Sequence, residues 1–176
     1  MSAVKGRELG IMSTGSSDKR EEILGLLERA YWMEIETVMS YIAGSINPEG
    51  LRAQEVVEAL EEDIDEELGH ARQFAQRIKE LYGTVPGSLG FQAEQQFLQP
   101  TADPTDLVSL VEGVIEAELG AIAHYQRVAE ACEGVDLVTQ DMVIDILRDE
   151  QGHLRLFEGF LRELAPDRLR GPASGS

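Results

Sequence analysis

Two tetrapeptides carry the first chemical signal in this sequence: Glu67-Leu68-Gly69-His70 and Glu150-Gln151-Gly152-His153. In a helix, positions i and i+3 lie on adjacent turns of one face, with Cβ atoms ~5–6 Å apart. A carboxylate oxygen and an imidazole nitrogen at that spacing can meet on one cation. The chain has 3 histidines, and two of them fall in this pattern. Two further glutamates, Glu34 and Glu118, sit where apolar residues are expected, and each is followed seven residues on by a tyrosine, Tyr41 and Tyr125. Four carboxylates and two imidazoles are a ligand set for two ions. Mixed oxygen and nitrogen ligation suits iron or manganese better than structural zinc, which prefers a closed tetrahedral set rich in thiolate or imidazole.

Four helices must position these groups. The first apolar stripe reads Ile23, Leu27, Ala30, Glu34, Val38, Tyr41, in steps of three and four that keep one face. The second reads Val56, Leu60, Ile64, Glu67, His70, Phe74, Ile78, Leu81. The third is Leu107, Val111, Val114, Glu118, Ile122, Tyr125, Ala129, and the fourth Val143, Ile146, Glu150, His153, Phe157, Phe160, Leu164. Each buried face thus carries a glutamate, and a buried carboxylate is costly without compensation. Metal cations supply it. Glu36, rotated ~200° from Glu34 on a helix of 3.6 residues per turn, is expected to face solvent. Glu116 competes with Glu118 as a ligand, and the stripe favours Glu118. His124 lies off the stripe and is expected at the surface or an interface. Trp32 and Met33 are expected in helix packing or a subunit contact.

The first helix is expected from Ser17 to about Ser45, with Asp18, Glu21 and Glu22 favouring the positive end of its dipole. Asn47-Pro48-Glu49-Gly50 is a turn. The second helix runs from about Leu51 to Tyr82, with Gly83 as its stop. A connection of about 20 residues follows, long against a median of ~4–6. The third helix starts near Asp103-Pro104, with proline suited to the first helical position, and ends at Glu133-Gly134. The fourth runs from about Asp136 to Leu164, before Pro166. Residues 1–16 read as a mobile arm, 17–165 as the bundle and 166–176 as a tail. Strand signals are nearly absent.

The levels agree as well. Glu34 lies 14 residues before the first turn and Glu67 lies 19 after it; Glu118 and Glu150 lie 16 residues either side of the second turn. All four glutamates can meet at one height of the core. The halves also echo each other at a shift of 83 to 84 residues, so a pseudo-two-fold site is expected.

Composition sets the outer limits. The 176 residues suit one domain, and 43% hydrophobic content is enough for a real core. The net charge of −18 argues against nucleic-acid binding, and residues 1–20 hold only Lys5, Arg7, Lys19 and Arg20 as basic groups. The 1 cysteine, Cys132, excludes a disulfide framework and a four-cysteine metal site. No run approaches the ~18 apolar residues of a membrane span, and no apolar segment follows Lys5 and Arg7. No membrane role and a cytoplasmic location are therefore expected.

Two short turns and one long crossover between four helices give an all-α, ferritin-like four-helix bundle. The order Glu…Tyr, Glu-x-x-His, long connection, Glu…Tyr, Glu-x-x-His resembles the ferritin-like superfamily over about residues 20–164. Within it the chain is most similar to bacterioferritin and Dps-like ferritins, and Met142-Val-Ile-Asp-Ile-Leu-Arg-Asp-Glu-Gln-Gly-His153 resembles the bacterioferritin fourth helix. The resemblance implies a di-iron ferroxidase centre that oxidises Fe(II) with O2 or H2O2 and passes Fe(III) to a hollow homo-oligomeric shell. It implies two Fe ions per subunit, with Mn as the alternative, held by Glu34, Glu67, His70, Glu118, Glu150 and His153. Glu34 and Glu150 would be terminal ligands of different irons, and Glu67 and Glu118 bridging or terminal. Tyr41 and Tyr125 would orient carboxylates or quench radicals. Haem-binding bacterioferritins carry a methionine directly after the glutamate of the second helix. Leu68 stands there, so no haem is expected at that position. Little sequence follows the fourth helix, so a 12-mer is at least as expected as a 24-mer. The alternatives on the same bundle are a manganese catalase or other dimetal oxidase, and a metal-binding scaffold without catalysis.

Overall fold

The computed structural model describes residues 10–167. Four helices follow in order: α1 Ser17–Ile46, α2 Gln54–Glu80, α3 Leu107–Cys132 and α4 Leu137–Leu164. Helices α1 and α2 form one antiparallel hairpin, α3 and α4 the other, and residues 81–106 cross between them with one 3₁₀ turn at Ser88–Gly90. No strand occurs among the described residues. The family of two hairpins and one crossover is as the periodicity predicts.

Of the expected arm, residues 1–9 lie outside the described residues, as does the tail from residue 168. Gly10–Met12 and Thr14–Ser16 are 3₁₀ turns, and Ile11 is buried in the core. The Arg20 guanidinium donates to the carbonyls of Ile11 and Ser13 and lies over the Tyr82 ring.

Three boundaries differ from expectation. Helix α2 starts at Gln54, because residues 51–53 complete a turn in which Gly50 takes φ 109° and the Ala53 amide donates to the Gly50 carbonyl. Helix α3 starts at Leu107, with Asp106 as its cap accepting from the Ser109 amide. Pro104 stands before it, and its carbonyl accepts from the Glu49 amide, which ties the end of the crossover to the α1–α2 turn. At the end of α2 the left-handed residue is Tyr82, φ 67°, rather than glycine. The Tyr82 amide donates to Lys79 and the Gly83 amide to Ile78, the paired bonds of a Schellman cap. Gly83 is required for space: a Cβ there would lie 2.7 Å from a Leu24 methyl.

Two polar side chains expected outside are inside. Glu36 is buried, because the crossover covers the side of α1 that helical periodicity marks as outer. Its carboxylate accepts from the backbone amides of Glu94 and Gln95 at 2.8–2.9 Å. The Gln95 side chain donates to Thr37 and accepts from Ser40, and Arg29 pairs with Glu94 at 2.7 Å. His124 is also buried, with Nε2 2.9 Å from the Leu26 carbonyl, and so links α3 to α1. Periodicity misses both because their partners are loop or backbone atoms. Trp32 stacks at a tilt between Tyr31 and Phe91, 4.8 and 5.5 Å away.

The apolar core is in two parts. One holds Ile23, Leu27, Phe74, Ile78, Val128 and Ile146 at the end where α1 begins. The other holds Val56, Leu60, Val111, Val114, Phe157 and Leu161 at the end where α1 stops. A layer of carboxylates and imidazoles lies between them.

A buried ion pair ties the hairpins at the first end. Arg77 of α2 donates to Thr139 at 2.7 Å and to Asp136, the α4 cap, at 2.8 Å. Breaking such a pair leaves one charge stranded, at ~3–5 kcal/mol. Arg77→Ala is expected to lose that much stability in urea unfolding while the slope with denaturant stays unchanged. A loss under ~1 kcal/mol would mean that solvent reaches Asp136 freely.

Candidate metal centre

The bundle brings Glu34, Glu67, His70, Glu118, Glu150 and His153 together at one level, one glutamate from each helix and a histidine from α2 and α4. All six are buried. Glu116 is exposed on the opposite side of α3 from Glu118. Among the described residues, two groups have ligand atoms within 4.8 Å of one another and could each hold a metal ion: Glu34, Glu67, His70 and Glu150, and Glu67, Glu118, Glu150 and His153. Glu67 and Glu150 belong to both.

The carboxylate oxygens explain the sharing. Glu67 turns Oε2 to His70 Nδ1 at 3.3 Å and Oε1 to His153 Nδ1 at 3.4 Å. Glu150 turns Oε1 to His70 Nδ1 at 3.3 Å and Oε2 to His153 Nδ1 at 3.5 Å. Each therefore offers one oxygen to either half, the geometry of a bridge. The sequence reading has Glu150 as terminal and Glu118 as bridging or terminal, whereas the oxygens of Glu150, like those of Glu67, face both halves. Glu34 and Glu118 each face one half only.

The tyrosines cross between the hairpins. Tyr41 of α1 donates its hydroxyl to Glu118 on α3, and Tyr125 of α3 donates to Glu34 on α1. Both phenols are fully buried, and burial, with the charge of the facing glutamate, pushes their pKa well above the usual range. They stay protonated and act as donors. Tyr125 also packs on Phe74, ring centres 5.3 Å apart.

The outer nitrogens of the imidazoles have partners that the sequence reading did not single out. His70 Nε2 lies 3.4 Å from Asp149, and His153 Nε2 lies 3.0 Å from Glu66. Asp63 Oδ1 lies 3.7 Å from the same His153 nitrogen. Carboxylates on the outer nitrogen fix ring orientation and raise the basicity of the inner one. Glu66 and Asp149 could have been found from the internal repeat, since an acidic residue precedes the glutamate of both Glu-x-x-His pairs.

Protonation follows from crowding. Burial, then the charges of Glu67 and Glu150, holds the Glu34 carboxyl well above its ordinary pKa. Burial, then the charges of Glu150 and Glu67, does the same for Glu118. Burial also works against the Glu67 anion, but the His153 and His70 imidazoles and the Glu34 carboxyl that face it outweigh this and lower Glu67 to about 2. Burial disfavours both imidazolium ions, but the facing carboxylates of Glu150 and Glu67 raise His70 to about 10 and His153 to about 12.

Protons alone leave the layer unsatisfied. Glu67 Oε1, Glu118 Oε2, Glu150 Oε1 and His153 Nδ1 are buried without a hydrogen-bond partner. Most buried polar atoms are paired, so four orphans in one cluster need an explanation. An oxygen-seeking divalent cation in each half fits the donor set.

A family model described as a ferritin-like domain matches residues 24–166. The chain is 26% identical over 148 residues to bacterioferritin from Desulfovibrio desulfuricans, covering 84% of this chain and 78% of that one. The bacterioferritin-related protein of Bacteroides fragilis, described as a dodecameric thioferritin, superposes with a TM-score of 0.72 at 27% identity, over 85% of this chain and 89% of that chain. A Dps structure from Mycobacterium smegmatis shares the fold with a TM-score of 0.74 at 17% identity, over 92% and 94% of the two chains. No helix among the described residues is long and apolar enough to cross a membrane. The matched model reaches into all four helices and covers the layer of carboxylates and histidines between them, and the chain therefore belongs to the ferritin-like domain family.

Proposed function

We propose that this chain is a ferroxidase that takes up Fe(II), oxidises it with O2 or H2O2 and stores Fe(III) inside a homo-oligomeric shell. The observation that carries this reading is the sharing of Glu67 and Glu150 between two four-residue groups, with orphaned oxygens in the shared residues. Each Fe(II) gives one electron, so a pair reduces H2O2 to two waters with uptake of two protons, or O2 to H2O2 with uptake of two protons. Paired electron delivery avoids one-electron oxygen radicals.

The side chains divide the work. Glu34 and His70 hold one substrate ion, Glu118 and His153 the other, and the two shared carboxylates keep the pair close. Tyr41 and Tyr125 hold Glu118 and Glu34 in place by donating to one oxygen of each, and the second oxygen of Glu118 is left without a partner. The apolar clusters on either side keep bulk water from the layer.

The test is an anaerobic Fe(II) titration, a pulse of O2 or H2O2, and the mass of the protein in solution on the same sample. Two irons per chain, rapid oxidation and a mass of 12 or 24 chains are expected. Two metals in a small oligomer with no mineral formed would move the assignment to a dimetal oxidase or scaffold, and no metal bound would remove the site.

A further inference from the structure

The two halves of the site differ by one buried charge. Shifting the α2 motif by 83 residues lays Glu67 on Glu150 and His70 on His153. The same shift lays Glu66 on Asp149, so each imidazole has an outer carboxylate from the opposite hairpin. Glu34 and Glu118 correspond, as do Tyr125 and Tyr41, each tyrosine donating to the glutamate across the bundle. Asp63 breaks the pattern. Its counterpart is Ile146, an apolar core residue 1% exposed, whereas Asp63 is a carboxylate 6% exposed.

Asp63 is also short of partners. Oδ2 makes no hydrogen bond, and Oδ1 stands 3.7 Å from His153 Nε2, which already bonds Glu66 at 3.0 Å. It belongs to neither four-residue group. An unpartnered buried carboxylate is unfavourable unless a positive charge lies near it. The cationic neighbours the fold can provide are His153 and an ion held on the inner side of that ring.

We infer that Asp63 is a positioning residue that makes the metal position beside Glu118 and His153 the tighter of the two. The inference rests on the dimetal reading above. Asp63 acts through His153: a second anion behind the ring restrains its orientation, favours electron donation from the inner nitrogen and attracts the cation across a poorly screened interior. The position beside Glu34 and His70 has only Asp149 behind its ring, and that carboxylate is half exposed. Outer carboxylates of metal-bound histidines are worth ~10–100-fold in affinity. The two positions therefore fill in order, the His153 side first.

Cobalt(II) tests this without turnover, because it takes the same ligands, stays divalent in air and reports its coordination by visible absorption. Titration of the metal-free protein, followed by absorption and calorimetry, is expected to show two ions per chain in two steps at least about tenfold apart. Asp63→Asn should merge the steps, Asp149→Asn should widen the gap, and Asp63→Glu, which keeps the charge, should retain both steps. Glu34→Gln should leave the tighter ion bound and Glu118→Gln the weaker. A purely structural role for Asp63 would not move the steps in opposite directions with Asp149. Two ions binding in a single step to the unaltered chain, or an unchanged gap in Asp63→Asn, would overturn the inference and leave the dimetal site standing. No cobalt bound to the unaltered chain would remove the dimetal site itself, and the inference with it.

Discussion

Glu150→Ala and Glu67→Ala are each expected to bind no metal pair at all, whereas Glu34→Ala and Glu118→Ala should each keep one ion per chain. The contrast follows from the carboxylate oxygens: Glu67 and Glu150 turn one oxygen to either imidazole, while Glu34 and Glu118 serve one half. Removing a shared group takes both halves from four ligands to three and so weakens both positions at once, whereas removing Glu34 or Glu118 leaves the other half with all four. Rapid Fe(II) oxidation should fall in all four variants by more than about 100-fold, beyond the ~10–100-fold typical of outer carboxylates, because one ion cannot deliver both electrons. Anaerobic titration gives the stoichiometry and stopped-flow absorption the rate. The fold should survive, since each change removes one of several crowded acids and leaves both apolar clusters intact. If Glu150→Ala bound one ion per chain, Glu150 would be terminal after all.

Loading the site should release protons, and affinity should rise with pH. His70 and His153, raised to about 10 and about 12, carry protons at neutral pH in the metal-free chain. Burial and the facing charges also keep Glu34 and Glu118 in favour of their protonated forms. Ligation requires neutral imidazoles and ionised carboxylates, so two ions displace between about two and four protons per chain. Acid therefore competes with metal across the whole neutral range. Without metal the same groups set stability. The histidine contribution is fully present below about pH 6.5 and is lost as pH rises through about 10 and then about 12. The Glu67 contribution is present above about pH 4.5 and is lost as pH falls toward about 2. A pH indicator in weak buffer reads the release on addition of Co(II). Fewer than about two protons per chain would mean that the imidazoles are neutral before loading.

The helices and all six clustered residues were legible because both obey one period. A glutamate inside a stripe of Ile, Leu and Val stands out, and the i, i+3 histidine confirms the face. Glu118 was separated from Glu116 on the same ground. What escaped has a different physical origin. Glu36 is buried by a loop, and loops have no period. His124 is buried by a backbone carbonyl, which leaves no mark in sequence. Asp63 escapes the period because Ile64 beside it makes a more apolar stripe, yet Ile64 is the half-buried one. The roles of Glu67 and Glu150 depend on where each carboxylate oxygen points, and that is a rotamer property. The starts of α2 and α3 depended on turn bonds at Gly50 and Asp106 that compete with helix propensity.

The split core has a consequence for the order in which the chain comes apart. Each hairpin contributes two of the four glutamates and one of the two histidines, so the layer is completed only when the hairpins dock. The polar layer is then the seam of the molecule: each helix packs more extensively on its hairpin partner than on the other hairpin, so hairpin can part from hairpin while each stays zipped. Amide hydrogens of the residues lining the seam should exchange through that partial opening, before global unfolding, with the Arg77–Asp136 pair and the crossover clasp at Glu36 resisting it from either side. Ions bound across the layer would join all four helices at once. They would act as staples that close this route, so the lifetime of the folded chain is expected to depend on whether it is loaded.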